Sequence, residues 1–147
     1  LAEKYKLPIG IENMNKIHEE AEIAYLGVTV EELARVLNAI PSKYFGLTLD
    51  IAHASLLPGG PESFIDAFPN RIISTHVSDN DLILDRHVPV GNGKIDFKRV
   101  FGNLMKVDFK GTLNIELPRS NEDRALSKRR LEPILAELGI LKEALTP

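Results

Sequence analysis

The stretch RIISTHVSDNDLILDRHVPVGNGKIDF, residues 71–97, carries the pattern that decides the fold. A short apolar run ends at His76, a polar loop follows, and an amphipathic segment begins after Asp96. An apolar run of this length before a segment with helical spacing predicts one strand followed by one helix. Asp96 is placed to cap that helix. The apolar residues on one face of the helix are Phe97, Val100, Phe101 and Leu104.

The same strand-and-helix pattern occurs four times along the chain. The apolar runs cover residues 8–11, 44–49, 71–75 and 112–115. Thr29 and Glu32 form a capping box before a helix that ends at Pro41. Further helices are predicted over residues 61–68, after Asp96 and from about residue 120, the last of them bent or split near Pro133.

Alternating strands and helices predict an α/β chain of (βα)₄ type, with a parallel sheet, right-handed crossovers and outer helices. A doubly wound nucleotide-binding sheet shares this alternation. However, Glu12-Asn13-Met14 stands where a glycine-rich phosphate loop would follow the first strand. A nucleotide-binding unit is therefore not expected.

The composition is that of an ordinary globular protein, with 147 residues, 44% of them hydrophobic, and a formal net charge of −3. This charge gives no basic surface for nucleic acid or anionic lipid. There is no cysteine, so disulfides and thiolate metal sites are excluded. No apolar run is long enough to span a membrane. We expect a cytoplasmic protein with no membrane partner.

Each of the four apolar runs leads into a side chain that can bind a metal or transfer a proton. These residues, the first ligand group, are Glu12, Asp50, His76 and Glu116. The C-terminal ends of parallel strands share one edge of the sheet, so the four side chains should meet there. A single carboxylate at a strand end is more often a helix cap, but four oxygen or nitrogen donors at four strand ends favour a site. A divalent cation would offset the cost of clustering three carboxylates.

A second ligand group is predicted just beyond the strands, from His53, Asp85 and His87. His53 is expected in the loop after the second strand. An extended segment would place Asp85 and His87 on the same side. Two imidazoles and a carboxylate suit a three-ligand metal position with an open site. His18 lies in a polar loop without a partner at ligand spacing, and an ordinary surface role is expected for it.

Five segments resemble the xylose-isomerase-like TIM-barrel superfamily, which includes endonuclease IV and many sugar isomerases and epimerases. They are IGIENM (9–14), GLTLDIAHA (46–54), STHVSDN (74–80), DRHVPVGNGKIDF (85–97) and LNIELPRS (113–120). The resemblance covers nearly the whole chain and corresponds to the last four βα units of the barrel. Residues 1–147 are thus expected to form a single domain, the C-terminal half of a TIM barrel.

The resemblance also implies roles for the two ligand groups. The first group matches the metal ligands shared by the sugar isomerases and endonuclease IV, and in the isomerases Glu12 and Glu116 would also shuttle a proton between adjacent sugar carbons. The second group matches a separate zinc position of endonuclease IV, while His53 also matches a substrate-binding histidine of the isomerases. Oxygen and nitrogen ligands favour Mn²⁺ or Zn²⁺ and also allow Mg²⁺ or Co²⁺.

The family barrel has eight βα units, whereas four are visible in this chain. An open half-barrel would expose inward-facing apolar residues and two strand edges, so we expect it to pair with another half. The partner would be a missing N-terminal half, a complementary chain or a second copy.

Three functions are compatible with these features. The first is a divalent-metal-dependent isomerase or epimerase acting on a small-molecule sugar or sugar phosphate. The second is an endonuclease IV-like zinc phosphodiesterase acting on abasic DNA, which Asp85-Arg86-His87 favours but the acidic balance and two absent zinc histidines oppose. The third is a non-catalytic half-barrel that serves as a binding or assembly module.

Overall fold

The computed structural model describes residues 1–16, 25–118 and 120–141. His18 lies outside these residues. The strands are β1 (Ile9–Glu12), β2 (Phe45–Asp50), β3 (Ile72–Val77) and β4 (Thr112–Ile115). The helices are α1 (Ala2–Tyr5), α2 (Val30–Ala39), α3 (Ile51–Ser55), α4 (Gly60–Ala67), α5 (Phe97–Lys106) and α6 (Asn121–Glu137).

The four strands form one parallel sheet in the order β1-β2-β3-β4. This confirms the predicted α/β arrangement of (βα)₄ type, as in one half of a TIM barrel. The register places Asp50 opposite His76 and His76 opposite Asn114. The C-terminal ends of all four strands therefore meet at one edge of the sheet, as the spacing of the apolar runs predicts.

The hydrophobic core lies between the outer face of the sheet and the helices. Its largest fully buried side chains include Leu33, Leu47, Leu49, Phe64, Phe101 and Leu104. Two predicted caps are present at the helix starts. Thr29 Oγ1 accepts from the Glu32 amide at 3.2 Å, and the Glu32 carboxylate accepts from the Thr29 amide at 3.4 Å. Asp96 Oδ1 accepts from the Arg99 amide at 3.0 Å.

One helix differs from the sequence-based prediction. Residues 51–55 form the short helix α3, capped by Asp50, so His53 lies in a helix and not in a loop. Of the two predicted alternatives for the last helix, the split is excluded, because α6 runs continuously from Asn121 to Glu137 with Pro133 inside it, and the bend stays a prediction. Buried Leu131 and Leu135 lie on either side of Pro133, and their packing supports the helix where one backbone hydrogen bond is lost.

The inward face of the sheet below the site is small and polar, which corrects the expectation of exposed apolar residues there. Gly10 packs so closely on Thr48 that a Cβ atom would lie 2.1 Å from Thr48 Oγ1. Asn114 Nδ2 donates to Ser74 Oγ at 2.7 Å, and Ser74 Oγ lies 3.0 Å from Thr112 Oγ1. This face is wettable and does not require an apolar filling.

None of the helices in the described ranges combines the length and the apolarity needed to cross a bilayer.

Phe101 tests the position of the core. It is 1% exposed on α5, whereas Met105, one turn further along the same helix, is 38% exposed. Phe101→Ala should lower the free energy of unfolding in urea by about 3–5 kcal/mol, because it leaves a cavity between the sheet and α5. Met105→Ala should change it by about 0.5 kcal/mol. Equal losses for the two variants would contradict this packing.

Candidate metal and active site

The structure brings the four side chains of the first ligand group together. His76 Nδ1 lies 3.1 Å from Glu12 Oε1, 2.8 Å from Glu116 Oε2 and 3.9 Å from Asp50 Oδ2. One ligand atom from each of the four residues lies within 4.8 Å of the others. Glu12 and Asp50 end their strands, His76 is the next-to-last residue of β3 and Glu116 directly follows β4. The site therefore follows from the alignment of the strands.

Asp50 Oδ2 is the atom of this group that most clearly fits a bound cation. Asp50 is 0% exposed, and its Oδ1 accepts from the His53 amide at 2.7 Å as the cap of α3. Its Oδ2 is buried without a hydrogen-bond donor among the described residues. A buried carboxylate oxygen without a donor is costly, and a cation among these ligands would satisfy it. Three carboxylates and one imidazole are also a donor set that Mn²⁺ and Zn²⁺ accept.

The residues of the second ligand group also meet, with Asp85 between the two imidazoles. His53 Nε2 lies 3.2 Å from Asp85 Oδ2, and His87 Nε2 lies 3.1 Å from Asp85 Oδ1. The two rings pack edge to face at 5.4 Å. The residues whose ligand atoms all lie within 4.8 Å of one another are Asp50, His53 and His87. Asp50 is therefore shared between the two groups.

The expected reason for the contact between Asp85 and His87 is wrong. The segment is not extended, because His87 has a φ of 43° in the left-handed region. The loop turns there, and His87 Nδ1 lies 3.1 Å from Ser78 Oγ. The contact depends on this turn and not on strand alternation.

Sequence reasoning missed two asparagines that hold the site together. Asn13 is fully buried; its Oδ1 accepts from the Asp50 amide at 2.7 Å and its Nδ2 donates to the Asp50 carbonyl at 3.0 Å. The carbonyl oxygen of Asn13 lies 3.0 Å from His53 Nδ1. Asn15 Nδ2 donates to Asp85 Oδ2 at 2.8 Å. The signal available in the sequence was that Asn13 directly follows a strand-end ligand.

The electrostatics of the two groups follow from burial and from these contacts. Burial raises the pKa of the Asp50 carboxyl to about 6. Burial opposes the charged form of His53, but the hydrogen bond with Asp85 and the charge of Asp50 outweigh it and raise the pKa of His53 to about 9. The hydrogen bond with His76 holds the pKa of Glu12 below its ordinary value, and the same bond raises the pKa of His76. The Asp85 carboxylate, 3.1 Å from His87 Nε2, raises the pKa of His87.

A cavity of about 630 Å³ opens beside the first ligand group. It is lined by His76, His87, Asn114, Glu116, Leu117 and Arg124, among others. Arg124 was not expected at the site. It lies in the first turn of α6, and its Nη2 donates to the Leu117 carbonyl at 2.7 Å, which fixes the guanidinium at the rim.

This fold and this edge of ligand-type side chains define an α/β protein of the barrel class. The sequence matches the family described as xylose isomerase-like TIM barrel over residues 1–144, and the chain belongs to that family.

One curated relative and two solved structures show the extent of the similarity. An uncharacterised protein of Methanocaldococcus jannaschii is 34% identical over 138 residues, which are 92% of this chain and 45% of that protein. The crystal structure of a D-tagatose 3-epimerase-like protein is 33% identical, with a TM-score of 0.82, and the match covers 94% of this chain and 50% of that one. The IolI protein, crystallised with a zinc atom, is 23% identical with a TM-score of 0.72 over 93% of this chain and 52% of that one. The chain thus spans about half the length of these relatives.

All seven predicted site residues therefore lie at one edge of the sheet. Their roles as ligands or catalysts stay predictions.

The raised pKa of His53 predicts a pH dependence of stability in metal-free protein. Its folded value of about 9 lies above the ordinary 6.5, so protonation stabilises the fold. That stabilisation is complete below pH 6.5 and is lost as the pH rises through about 9. Urea unfolding in the presence of a chelator should show the free energy of unfolding falling across this window, with a smaller fall in His53→Gln. An unchanged slope in that variant would contradict the assignment.

Proposed function

We propose that the protein is a divalent-metal-dependent sugar isomerase or epimerase. The observation that carries this proposal is the first ligand group, in which Glu12 and Glu116 both approach His76 beside a cavity. Two carboxylates on either side of one position can serve as base and acid toward the same substrate carbon, one removing its proton and the other delivering a new one.

Glu12, Asp50, His76 and Glu116 would hold the cation. When bound, the cation would supply Lewis-acid polarisation of the carbonyl and hydroxyl oxygens of the sugar. Glu12, whose pKa the hydrogen bond with His76 holds below its ordinary value, would be the ionised base that accepts the proton from the substrate carbon. Glu116, whose side chain is 45% exposed and lines the cavity, would deliver a proton of its own to that carbon from the other side. One turnover would thus leave Glu12 protonated and Glu116 ionised, and proton exchange with water would restore both groups.

The proposed substrate is a ketose or a ketose phosphate. The 33% identity to a D-tagatose 3-epimerase-like protein supports a ketose. The polar inward face and Asn114 offer hydrogen bonds to sugar hydroxyls. Arg124 at the rim is the residue that would contact an anionic substituent such as a phosphate.

We further propose that a second half-barrel completes the pocket. β1 and β4 are the outer strands of the described sheet. Large apolar side chains are exposed along and before β1: Leu1 is 88% exposed, Tyr5 63%, Leu7 60% and Ile9 40%. A completing half would pair with these edges and cover these side chains.

A zinc phosphodiesterase acting on abasic DNA is a second candidate, supported by the second ligand group. The charges on the outer surface oppose it. Three cations of this surface are already paired: Lys98 with Glu137, Arg99 with Glu62 and Lys110 with Asp108. A nuclease of this class needs unpaired cations near its site.

Metal binding is the first test of the proposal. The purified protein should bind Mn²⁺ or Zn²⁺, and its melting temperature should rise when either ion is added. Asp50→Asn should weaken binding measured by calorimetry at least about tenfold, because it changes the buried ligand oxygen. Glu62→Gln is the matched control, since Glu62 pairs with Arg99 away from the site. Absence of metal together with unchanged melting would exclude both enzymatic functions and leave the non-catalytic module.

Proton transfer is the second test. In D₂O the metal-loaded protein should exchange the carbon-bound hydrogen next to the carbonyl of a ketose. Glu116→Gln, compared at saturating metal, should slow exchange by about 10²–10⁴-fold, the usual contribution of a general acid or base.

Arg124→Gln should raise KM for a ketose phosphate and leave KM for the neutral ketose unchanged. Cleavage of an abasic duplex that is abolished in His87→Ala, without ketose exchange, would instead establish the phosphodiesterase.

A further inference from the structure

Asp79 is a buried carboxylate that belongs to neither ligand group. It is 1% exposed and lies three residues after His76. Its Oδ1 accepts from the amides of Asn80 at 2.9 Å and Ile95 at 3.1 Å. Its Oδ2 accepts from the amides of Gly91 at 2.8 Å and Gly93 at 3.0 Å. Four backbone donors thus satisfy the carboxylate, in the way that a nest of amides binds an anion.

The backbone of Asp79 joins the same loop. Its amide donates to the Val88 carbonyl and its carbonyl accepts from the Val88 amide, both at 2.9 Å. Residues 88–95 are therefore attached to the end of β3 by six hydrogen bonds from Asp79 and its neighbour Asn80, counting the Lys94 amide, which donates to the Asn80 carbonyl at 2.7 Å. Five of these six bonds involve Asp79, so this residue fixes the position of the loop.

The two glycines of the loop are adapted to this arrangement. A Cβ atom on Gly93 would lie 2.3 Å from Asp79 Oδ1 and 2.2 Å from the Asn80 carbonyl oxygen. Gly91 has a φ of 81°, which favours glycine. On the other side, Ser127 Oγ of α6 accepts from the Val90 amide at 3.1 Å. The loop is thus held between β3 and α6 with no room for side chains at the carboxylate.

His87 immediately precedes the residue that pairs with Asp79. Its strained φ of 43° and its contacts with Ser78 and Asp85 require Val88 to stay at one position. We propose that Asp79 is the positioning residue for His87, and that the buried carboxylate sets the place of that imidazole at the candidate site. The inference rests on the proposed role of His87 at the site, but the position of the ring can be tested without metal and without a substrate.

The test compares Asp79→Asn with the wild type by NMR in metal-free protein. The amide cannot accept from all four donors, so exchange of the Gly91, Gly93 and Ile95 amide protons should accelerate at least about tenfold. The His87 Cε1–Hε1 signal should shift while the His76 signal stays in place. Glu32→Gln is the matched control: the Glu32 carboxylate accepts from the Gly27, Val28 and Thr29 amides at the start of α2, so that variant should change exchange of those amides and leave the His87 signal in place.

A double-mutant cycle separates positioning from a general loss of stability. Asp79→Asn and His87→Ala should each shift the His53 Cε1–Hε1 signal in metal-free protein, because the His87 ring packs on the His53 ring at 5.4 Å. Asp79→Asn should add no further shift when His87 is already alanine. A further shift in the double variant, or a His87 signal unchanged in Asp79→Asn, would overturn the inference. If Asp79→Asn does not fold, Gly93→Ala displaces the same loop from the carboxylate, and an unshifted His87 signal in that variant would overturn it equally. If the wild type does not catalyse hydrogen exchange on a ketose, the proposed function is refuted. The NMR comparison would still show whether Asp79 positions the His87 ring.

Discussion

The burial of the Asp50 carboxylate is the constraint on which the rest of the site depends. One oxygen begins α3, and the backbone on either side of this residue is clamped to β1 by Asn13. The other oxygen lies 3.8 Å from His53 Nδ1 and 3.9 Å from His76 Nδ1, and no described residue donates a hydrogen bond to it. A single residue therefore joins two strands, starts a helix and carries a charge that only protons or a cation can compensate. The strand ends cannot shift relative to one another without exposing the Asp50 carboxylate to water or leaving it buried and uncompensated.

The parts of this arrangement that follow from periodicity could be predicted from the sequence. Four apolar runs with helical segments between them fix a parallel sheet, and parallel strands bring Glu12, Asp50, His76 and Glu116 to one edge. The five-residue helix α3 has too few residues to show a period, so His53 was expected in a loop. The conformation of the loop of residues 78–95 could not be predicted either, because it depends on aspartate and asparagine side chains that accept hydrogen bonds from backbone amides. Such bonds leave no repeating pattern in the sequence.

The inward face of the sheet shows a second limit of pattern reading. Alternation identifies Gly10, Thr48, Ser74 and Asn114 as sharing a face with the ligands, but the usual packed interior of a barrel suggests apolar residues there. The observed hydrogen bonds among Ser74, Thr112 and Asn114 make this face polar. A polar floor under a cluster of carboxylates suits a hydroxylated ligand, and it lowers the cost of leaving the face in contact with water.

The balance of charge distinguishes the two ligand groups. The first contains three carboxylates against one imidazole, so protonation of His76 still leaves it strongly negative. The second has His53 and His87 facing Asp85 and the shared Asp50, and the raised pKa values of both imidazoles show that protons can balance these carboxylates. The uncompensated negative charge is therefore larger in the first group than in the second, although Asp85 Oδ1 too is buried without a hydrogen-bond partner among the described residues. Both ring nitrogens of His53 and of His87 already have partners, so these imidazoles hold the loop around Asp85 against the strand ends.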